Sequence, residues 1–204
     1  MITGIRHNII WSVFIMLLGL DSSSVMAEPE QTIVTLFNQL AKYTQPDVHY
    51  REEKHIQLLD MDMIQTGVLQ YRRPDTLIRE QQTPDPQRFE IDANNLVIIK
   101  GNKKRKIPLD KAPALRAMAE SFRATLSGDL PRLQKYFDLQ FSGTPARWKL
   151  SLQPRDPGLL NYISLISIAG EGVQIKRYEL YEREGDWSVM TLTPTGSDLN
   201  PPQN

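Results

Sequence analysis

Short connections between strand-like segments are the feature that most constrains the fold of this chain. Two blocks, residues 49–109 and 147–193, consist of such segments separated by brief turns rich in glycine, asparagine, aspartate and proline. Parallel strands need a crossover of about a dozen residues or more, whereas antiparallel strands can be joined by a tight turn. The sequence therefore predicts an antiparallel meander that is interrupted once, in the middle.

The predicted strands form one large sheet. They comprise residues 49–60, 67–73, 76–81, 87–92, 96–100, 105–109, 147–153, 162–169, 173–182 and 187–193, with a loop around residues 60–63. The clearest alternation places Trp148, Leu150 and Leu152 on one face. We expect about eight to eleven strands, which is enough for a sheet to curl strongly.

Helical periodicity interrupts the strands at two points. Residues 31–43 carry apolar side chains three and four positions apart, at Ile33, Leu36, Phe37 and Leu40. Residues 110–128 predict a second helix, which Asp110 caps and Gly128 ends. Its apolar positions are Leu115, Met118, Ala119, Phe122 and Leu126, with Arg116, Glu120 and Arg123 on the other side. A shorter helical piece then begins at Asp129 and Pro131 and carries Leu133 and Phe137.

The predicted sheet has one apolar face that must be covered. The helical regions are the only segments available for this task, and a curled sheet with a helical cover can enclose a cavity. The length favours a single domain over residues 28–204.

The N-terminus is typical of a cleavable secretory signal. Arg6 and His7 precede an apolar run at residues 9–20, and small residues, Val25 and Ala27, lie three and one positions before Glu28. The apolar run is shorter than the roughly 20 residues of a membrane span, which disfavours the alternative, a short membrane anchor. We therefore expect residues 1–27 to be removed and the remaining protein to work outside the cytoplasm.

Composition excludes several kinds of partner and chemistry. The chain has 24 basic and 24 acidic residues and no cysteine, so we expect neither nucleic-acid binding, nor a disulfide, nor a lipid anchor on cysteine. The basic cluster at residues 103–106 follows Gly101 and Asn102, and a solvated hairpin turn explains it better than a nucleic-acid patch.

Candidate catalytic and metal-binding residues are few. His49, Glu53 and His55 share a predicted strand face, but the histidines lie about 20 Å apart along an extended strand, too far to share an ion. Glu52 is the one acid that we nominate, because it shares a face with Tyr50 and Ile56, and a lone carboxylate is better explained as a hydrogen-bonded or salt-bridged strand residue. We therefore expect no enzyme activity, no metal site and no cofactor.

Two adjacent arginines end one of the predicted strands. Strand alternation places Leu69, Tyr71 and Arg73 on the more apolar face and Arg72 on the solvated face, and Pro74 then ends the strand. An arginine at the rim of an apolar concavity can hold exposed carbonyl groups of a covering loop or helix end. From the residues alone, that role and an ordinary strand-end ion pair remain equally good explanations of Arg73.

Several motifs together resemble the outer-membrane lipoprotein carrier family, LolA. They are the signal without a lipidation cysteine, the first helix, Tyr50-Arg51-Glu52, Gly67-Val68-Leu69 followed by Tyr71-Arg72-Arg73-Pro74, and the terminal Leu192-Thr193-Pro194. This chain departs from the family at Gln70 and after Pro74, where aromatic residues are common, and so resembles a divergent member.

The resemblance implies an incomplete, half-open antiparallel β-barrel, mainly β with α, whose concave apolar face is closed by helices that act as a lid. It implies a carrier of acylated lipoprotein cargo with two partners, an inner-membrane ABC-type releasing complex and an outer-membrane receptor. Arg73 matches the arginine that bonds to the lid and helps to hold it shut. The candidate cavity residues are Leu69, Tyr71, Phe89, Ile91, Leu115, Met118, Phe122 and Leu126, each of which plain core packing explains equally well.

The identity of the cargo stays open at this point. A lipoprotein, a free lipid or another acylated product would each suit an apolar cavity. The alternative function is a non-carrier interaction or sensing module of the cell envelope with the same fold. We expect a monomer.

Overall fold

A computed structural model describes residues 28–195 of the protein. The helices are α1 (Glu28–Lys42), α2 (Pro113–Ser127) and α3 (Leu130–Tyr136). The strands are β1 (Val48–Ile56), β2 (Met61–Arg72), β3 (Thr76–Thr83), β4 (Gln87–Ile91), β5 (Asn95–Lys100), β6 (Lys103–Pro108), β7 (Phe137–Thr144), β8 (Arg147–Pro154), β9 (Ile163–Glu171), β10 (Gln174–Glu182) and β11 (Trp187–Pro194). Short 3-10 turns lie at Gln57–Leu59, Leu109–Lys111 and Leu159–Asn161. The predicted signal, residues 1–27, lies outside the described residues.

The strands form one antiparallel sheet of 11 strands in the order β6-β5-β4-β3-β2-β1-β11-β10-β9-β8-β7. The first and last strands join the two blocks, since β1 pairs with both β2 and β11. The edge strands β6 and β7 do not pair with each other, so the curled sheet stays open. This confirms the predicted fold class, mainly β with α in a half-open antiparallel barrel.

The two helical regions cover the concave face. On α1, Leu36, Phe37 and Leu40 are fully or almost fully buried. They belong to one apolar core with Leu150, Leu152, Ile166 and Ile168 of β8 and β9. The core is therefore densest on the β7–β10 side of the barrel.

The α2–α3 corner touches α1 through main-chain atoms. Gly128 ends α2 with a φ of 70°, a left-handed conformation that favours glycine. A Cβ atom there would overlap the backbone of Phe37 and Ala41. Gly128 thus confirms the predicted end of α2 and allows α1 to approach it closely.

The predicted boundaries were wrong at three places. The turn predicted around residues 60–63 lies earlier, at the 3-10 turn Gln57–Leu59, and β2 begins directly at Met61, because Asp60 adopts the left-handed conformation (φ 45°) that closes a tight hairpin. Asp110 does not cap α2, since it lies in a 3-10 turn and Ala112 occupies the N-cap position without a side-chain hydrogen bond. Phe137 is not helical, because it ends α3 and begins the unpredicted edge strand β7.

The basic cluster at residues 103–106 lies on the edge strand β6, beyond the turn. Its side chains are exposed. Charged side chains on an open edge discourage pairing with another sheet, so the cluster is explained by the position of β6 in the fold.

Candidate ligand-binding site

An apolar cavity of about 240 Å³ lies between α2 and the concave face of the sheet. Its lining residues come from β1 to β5, α2, β10 and β11: Glu52, Leu69, Leu77, Arg79, Phe89, Ile91, Leu96, Leu115, Met118, Ala119, Phe122, Tyr178, Ser188 and Met190. Strand alternation explains the sheet side, since Leu69, Arg79 and Phe89 are direct partners in adjacent strands and so share a face.

The predicted cavity residues gather in this region. Leu69, Phe89, Ile91, Leu115, Met118 and Phe122 line the cavity. Tyr71 and Leu126 do not, because they lie further along the barrel, where they line a cleft of about 30 Å³ that also includes Leu69 and Phe122. The two voids therefore adjoin, and the narrow cleft continues the cavity towards the end of α1.

An aromatic contact holds α2 against the sheet. The rings of Phe122 and Tyr178 stack with centroids 4.0 Å apart and an interplanar angle of 17°. The hydroxyl group of Tyr178 also lies 3.0 Å from Oγ of Ser121, and burial raises the pKa of Tyr178. This contact fixes the position of Phe122, which belongs to the helical wall of the cavity, relative to β10.

The opposite end of the cavity is polar. A second void of about 310 Å³ has Glu52, Arg79, Met118 and Ser188 in common with the first, and its other lining residues include Lys54, Gln65, Tyr162 and Glu182. Tyr162 is exposed, with 54% of its surface accessible. The concave face thus changes from apolar to charged at Arg79.

Arg79 is the centre of this boundary. Its Nε donates a hydrogen bond to the hydroxyl of Tyr50 at 3.0 Å, and its Nη2 donates to Oε1 of Gln65 at 2.5 Å and pairs with Oε2 of Glu52 at 2.6 Å. The guanidinium also lies 4.6 Å from the centroid of the Tyr50 ring. The prediction that Glu52 is a salt-bridged strand residue is confirmed, but the sequence interpretation did not identify Arg79 as its partner.

A buried ionic network fixes the C-terminal half of α2. The fully buried Arg123 pairs with Glu120 and donates from Nη1 to the backbone carbonyls of Asp75 and Asp92, at 3.1 and 2.7 Å. Arg132 of α3 then donates to Oε2 of Glu120 at 2.6 Å and to Oδ1 of Asp75 at 2.8 Å. The sequence placed Glu120 and Arg123 on the side of α2 opposite its apolar residues, and they are instead buried beneath the turns that follow β2 and β4.

The two neighbouring arginines have different partners. Nη2 of Arg73 donates to the carbonyl oxygens of Leu40, Ala41 and Tyr43, at 3.3, 3.1 and 3.1 Å, at the C-terminal end of α1. Arg72 forms a two-pronged ion pair with Asp47, at 2.7 and 3.2 Å. The hydrogen bond from Arg72 holds the pKa of the Asp47 carboxyl below its usual value.

Residues 29–199 match the family described as outer membrane lipoprotein carrier protein LolA-like. The chain belongs to the LolA-like family. A comparison with curated proteins finds no sequence match.

Solved structures with a similar course of the chain share little sequence with this LolA-like protein. A LolA superfamily protein from Nitrosomonas europaea has 10% identity over 80% of this chain and 90% of that chain, with a TM-score of 0.42. The MucA/MucB complex of Pseudomonas aeruginosa has 12% identity over 79% of this chain and 56% of that chain, with a TM-score of 0.40. The lipoprotein LppX of Mycobacterium tuberculosis has 10% identity over 80% of this chain and 94% of that chain, with a TM-score of 0.39.

The two histidines within residues 28–195, His49 and His55, do not line the cavity of this LolA-like protein. His55 stacks on Trp187 and its Nδ1 lies 2.8 Å from Oδ1 of Asp62, which raises the pKa of His55. Within residues 28–195, no three acidic or histidine side chains converge as metal ligands, and no helix there has the length and apolar character to cross a bilayer.

Proposed function

We propose that this LolA-like protein is a soluble carrier that encloses the acyl chains of a lipoprotein, or of another lipid cargo, beneath α2. The observation that supports the proposal is the apolar cavity between α2 and the concave face, with Phe122 on its helical wall. Burial of an acyl chain is worth about 0.8 kcal/mol per CH₂. One chain of about sixteen carbons therefore gains on the order of 12 kcal/mol of free energy, before the costs of binding are subtracted.

The size of the cavity implies that cargo entry requires movement. Its volume of about 240 Å³ falls below the roughly 300 to 1,000 Å³ of ordinary small-molecule pockets. An acyl chain therefore needs α2 to shift away from the sheet, or needs the adjoining polar void as well. The closed arrangement described above then has to open before an acyl chain can enter.

The proposal includes the route of the cargo. Residues 1–27 direct export and are cleaved, and residues 28–204 act as one monomeric domain in the periplasm. An inner-membrane ABC-type complex releases the cargo to the carrier, and an outer-membrane receptor accepts it.

Arg73 is proposed as the latch of this carrier. Its three hydrogen bonds hold the end of α1, and that end supports the α2–α3 corner at Gly128. Loss of these hydrogen bonds would loosen the end of α1, and α2 would then lose part of its support. Arg73 does not need to contact α2 directly for this effect.

Native mass spectrometry of protein purified from periplasm tests the carrier. We expect bound acyl species, and we expect the stripped protein to take up a synthetic diacylated lipopeptide. A ligand-free mass together with no uptake would contradict the carrier and favour an envelope interaction module with the same fold.

A pair of variants on α2 provides the matched control. Ala119 lines the cavity beneath the helix, so Ala119→Leu should fill it and reduce lipopeptide uptake. Ala117 borders a different void, on the side of Pro113 and Tyr136, so Ala117→Leu should leave uptake unchanged. Equal uptake by both variants would show that cargo binds elsewhere.

A further inference from the structure

Arg79 is a charged side chain on the apolar face of the barrel. Its cross-strand partners are Leu69 on β2 and Phe89 on β4, both of which line the cavity. Only 24% of the Arg79 side chain and 11% of the Glu52 side chain are accessible to solvent. Such a largely shielded ion pair is costly to desolvate, and apolar residues of similar volume often replace ion pairs of this kind without loss of stability. Stability alone is therefore a poor explanation of the Arg79–Glu52 pair, and ligand binding is a better one.

The pair has unused hydrogen-bonding capacity at the boundary of the two voids. Within residues 28–195, the contacts of Arg79 use Nε and Nη2, which leaves the two N–H groups of Nη1 as donors. The contact of Glu52 uses Oε2, which leaves Oε1 as an acceptor. Both residues line both voids, so a ligand that extends from one void into the other passes them.

The charges around this point balance in pairs. Glu52 neutralises Arg79, and Glu182 lies 3.6 Å from Nζ of Lys54. A ligand with a negative charge would add a third anion to a region that already holds two carboxylates. A ligand with an uncharged carbonyl group would accept a hydrogen bond from Arg79 without this penalty.

We propose that Arg79 and Glu52 form a binding site for the uncharged acyl carbonyl, ester or amide, of an amphiphilic cargo. The acyl chain lies in the apolar cavity, the carbonyl accepts from Nη1 of Arg79, and the rest of the cargo leaves through the polar void beside Lys54 and Tyr162. An amide would also donate its N–H to Oε1 of Glu52. This inference rests on the proposed carrier function and names the chemical group that the carrier recognises.

Binding of three probes with the same chain tests the site. Palmitate, monopalmitoyl glycerol and N-palmitoyl ethanolamide are used to displace a fluorescent acyl probe from the purified protein at neutral pH. We expect the ester and the amide to bind about tenfold more tightly than palmitate, because the palmitate carboxylate would lie beside the carboxylates of Glu52 and Glu182, and like charges placed together cost this factor or more. Palmitate binding as tight as that of the neutral probes would overturn the site.

The ester and the amide distinguish the role of Glu52. Tighter binding of the amide supports an N–H group donated to Glu52, and equal binding supports recognition of the carbonyl by Arg79 alone.

A double variant connects the preference to these residues. Arg79→Met with Glu52→Gln should abolish the preference for neutral probes, while Arg88→Met with Glu80→Gln should retain it. The Arg88–Glu80 pair is the matched control, because it also joins β3 to another strand of the sheet and lines neither void. Arg79→Lys, which keeps the charge but loses the planar donor fork, should weaken the preference and decides the question if the double variant does not fold.

Two kinds of failure can be told apart. If the wild-type protein binds no palmitoyl probe, the carrier proposal fails and the carbonyl site fails with it. If the protein binds all three probes and the Arg79/Glu52 double variant keeps the wild-type preference, only the carbonyl site is overturned.

Discussion

The two halves of α2 are held in different ways. The C-terminal half carries Glu120 and Arg123, which are buried and bonded to the turns after β2 and β4 and to α3. In the N-terminal half, Leu115 and Met118 are only half-buried, and both line the cavity. The helix also begins at Ala112 without a side-chain cap.

This difference indicates which part of the cover can move. Exposed residues 110 and 111 and half-buried Ala112 connect the start of α2 to Leu109, which is fully buried. The N-terminal half of α2 is therefore a short segment between two fixed points, buried Leu109 and the ionic network at Glu120 and Arg123. The apolar cavity lies beneath this segment. We expect the cavity to open at this segment while the ionic network keeps the other half in place.

Arg123→Met should have the largest effect, because it removes the centre of the fixed half. The variant leaves Glu120 buried with one partner fewer, and loss of one member of a buried pair typically costs about 3 to 5 kcal/mol. Urea unfolding followed by circular dichroism measures the change. Arg51→Met, in the exposed pair with Glu53, should cost less than about 1 kcal/mol. Similar losses for the two variants would contradict the distinction between the halves.

Ala112→Asp should stabilise the start of the mobile N-terminal half of α2 by giving it a side-chain cap. Asp129 caps α3 with a ψ of 78°, and Ala112 has a similar ψ of 70°, so an aspartate at position 112 can accept the same hydrogen bond. We expect a gain of about 1 kcal/mol in the free energy of unfolding, and slower exchange of an acyl probe.

The reverse change provides the control for that prediction. Asp129→Ala removes a cap from the fixed side and should cost about 1 kcal/mol without a change in probe exchange. If Ala112→Asp does not slow exchange of the probe, or if the variants at positions 112 and 129 have the same exchange rate, the start of α2 does not limit entry.

Arg73→Leu should affect cargo exchange more than stability. Loss of the hydrogen bonds to the end of α1 is expected to cost at most about 1 kcal/mol and to speed release of an acyl probe to vesicles about fivefold. Arg72→Leu is the matched control, since its partner Asp47 lies in the segment after α1. Equal release rates in the two variants would contradict the latch.

Asp47→Asn should have the smallest effect, and that effect should disappear under acid conditions. The folded pKa of Asp47 is lowered, so the unfolded chain binds more protons and the pair stabilises the protein above the unfolded value of about 3.9. This contribution, about 0.5 kcal/mol at most for so exposed a pair, is lost as the pH falls through the folded pKa. Urea unfolding of wild type and variant from about pH 5 to pH 3 should therefore converge at the acid end.

Strand alternation predicted much of the sheet side of the site. Leu69 and Tyr71 are buried and Arg72 is exposed, as the period of two requires. The same rule places Arg79 on the face of Leu77, so the sequence did contain a signal for this half-buried arginine. Likewise, Leu139 and Phe141 alternate with polar residues in β7, the strand that was missed.

The helix side was predicted less well for a physical reason. Amphipathic periodicity assigns charged residues to water, and so it assigned Glu120 and Arg123 to the wrong environment. Their partners include backbone carbonyls of Asp75 and Asp92, which have no signature in the sequence. Only the tertiary structure brings those turns over the outer side of α2.

Gly128 anchors one end of α2. Because main chain meets main chain at this glycine, no flexible side chain lies between α2 and α1 to absorb a displacement. The movable part of the helix is then the seven residues in front of Glu120, an arm of roughly 10 Å at about 1.5 Å per residue. A bend of about 20° at the inner end of this arm would lift the start of the helix by roughly 4 Å, about the thickness of one hydrocarbon chain.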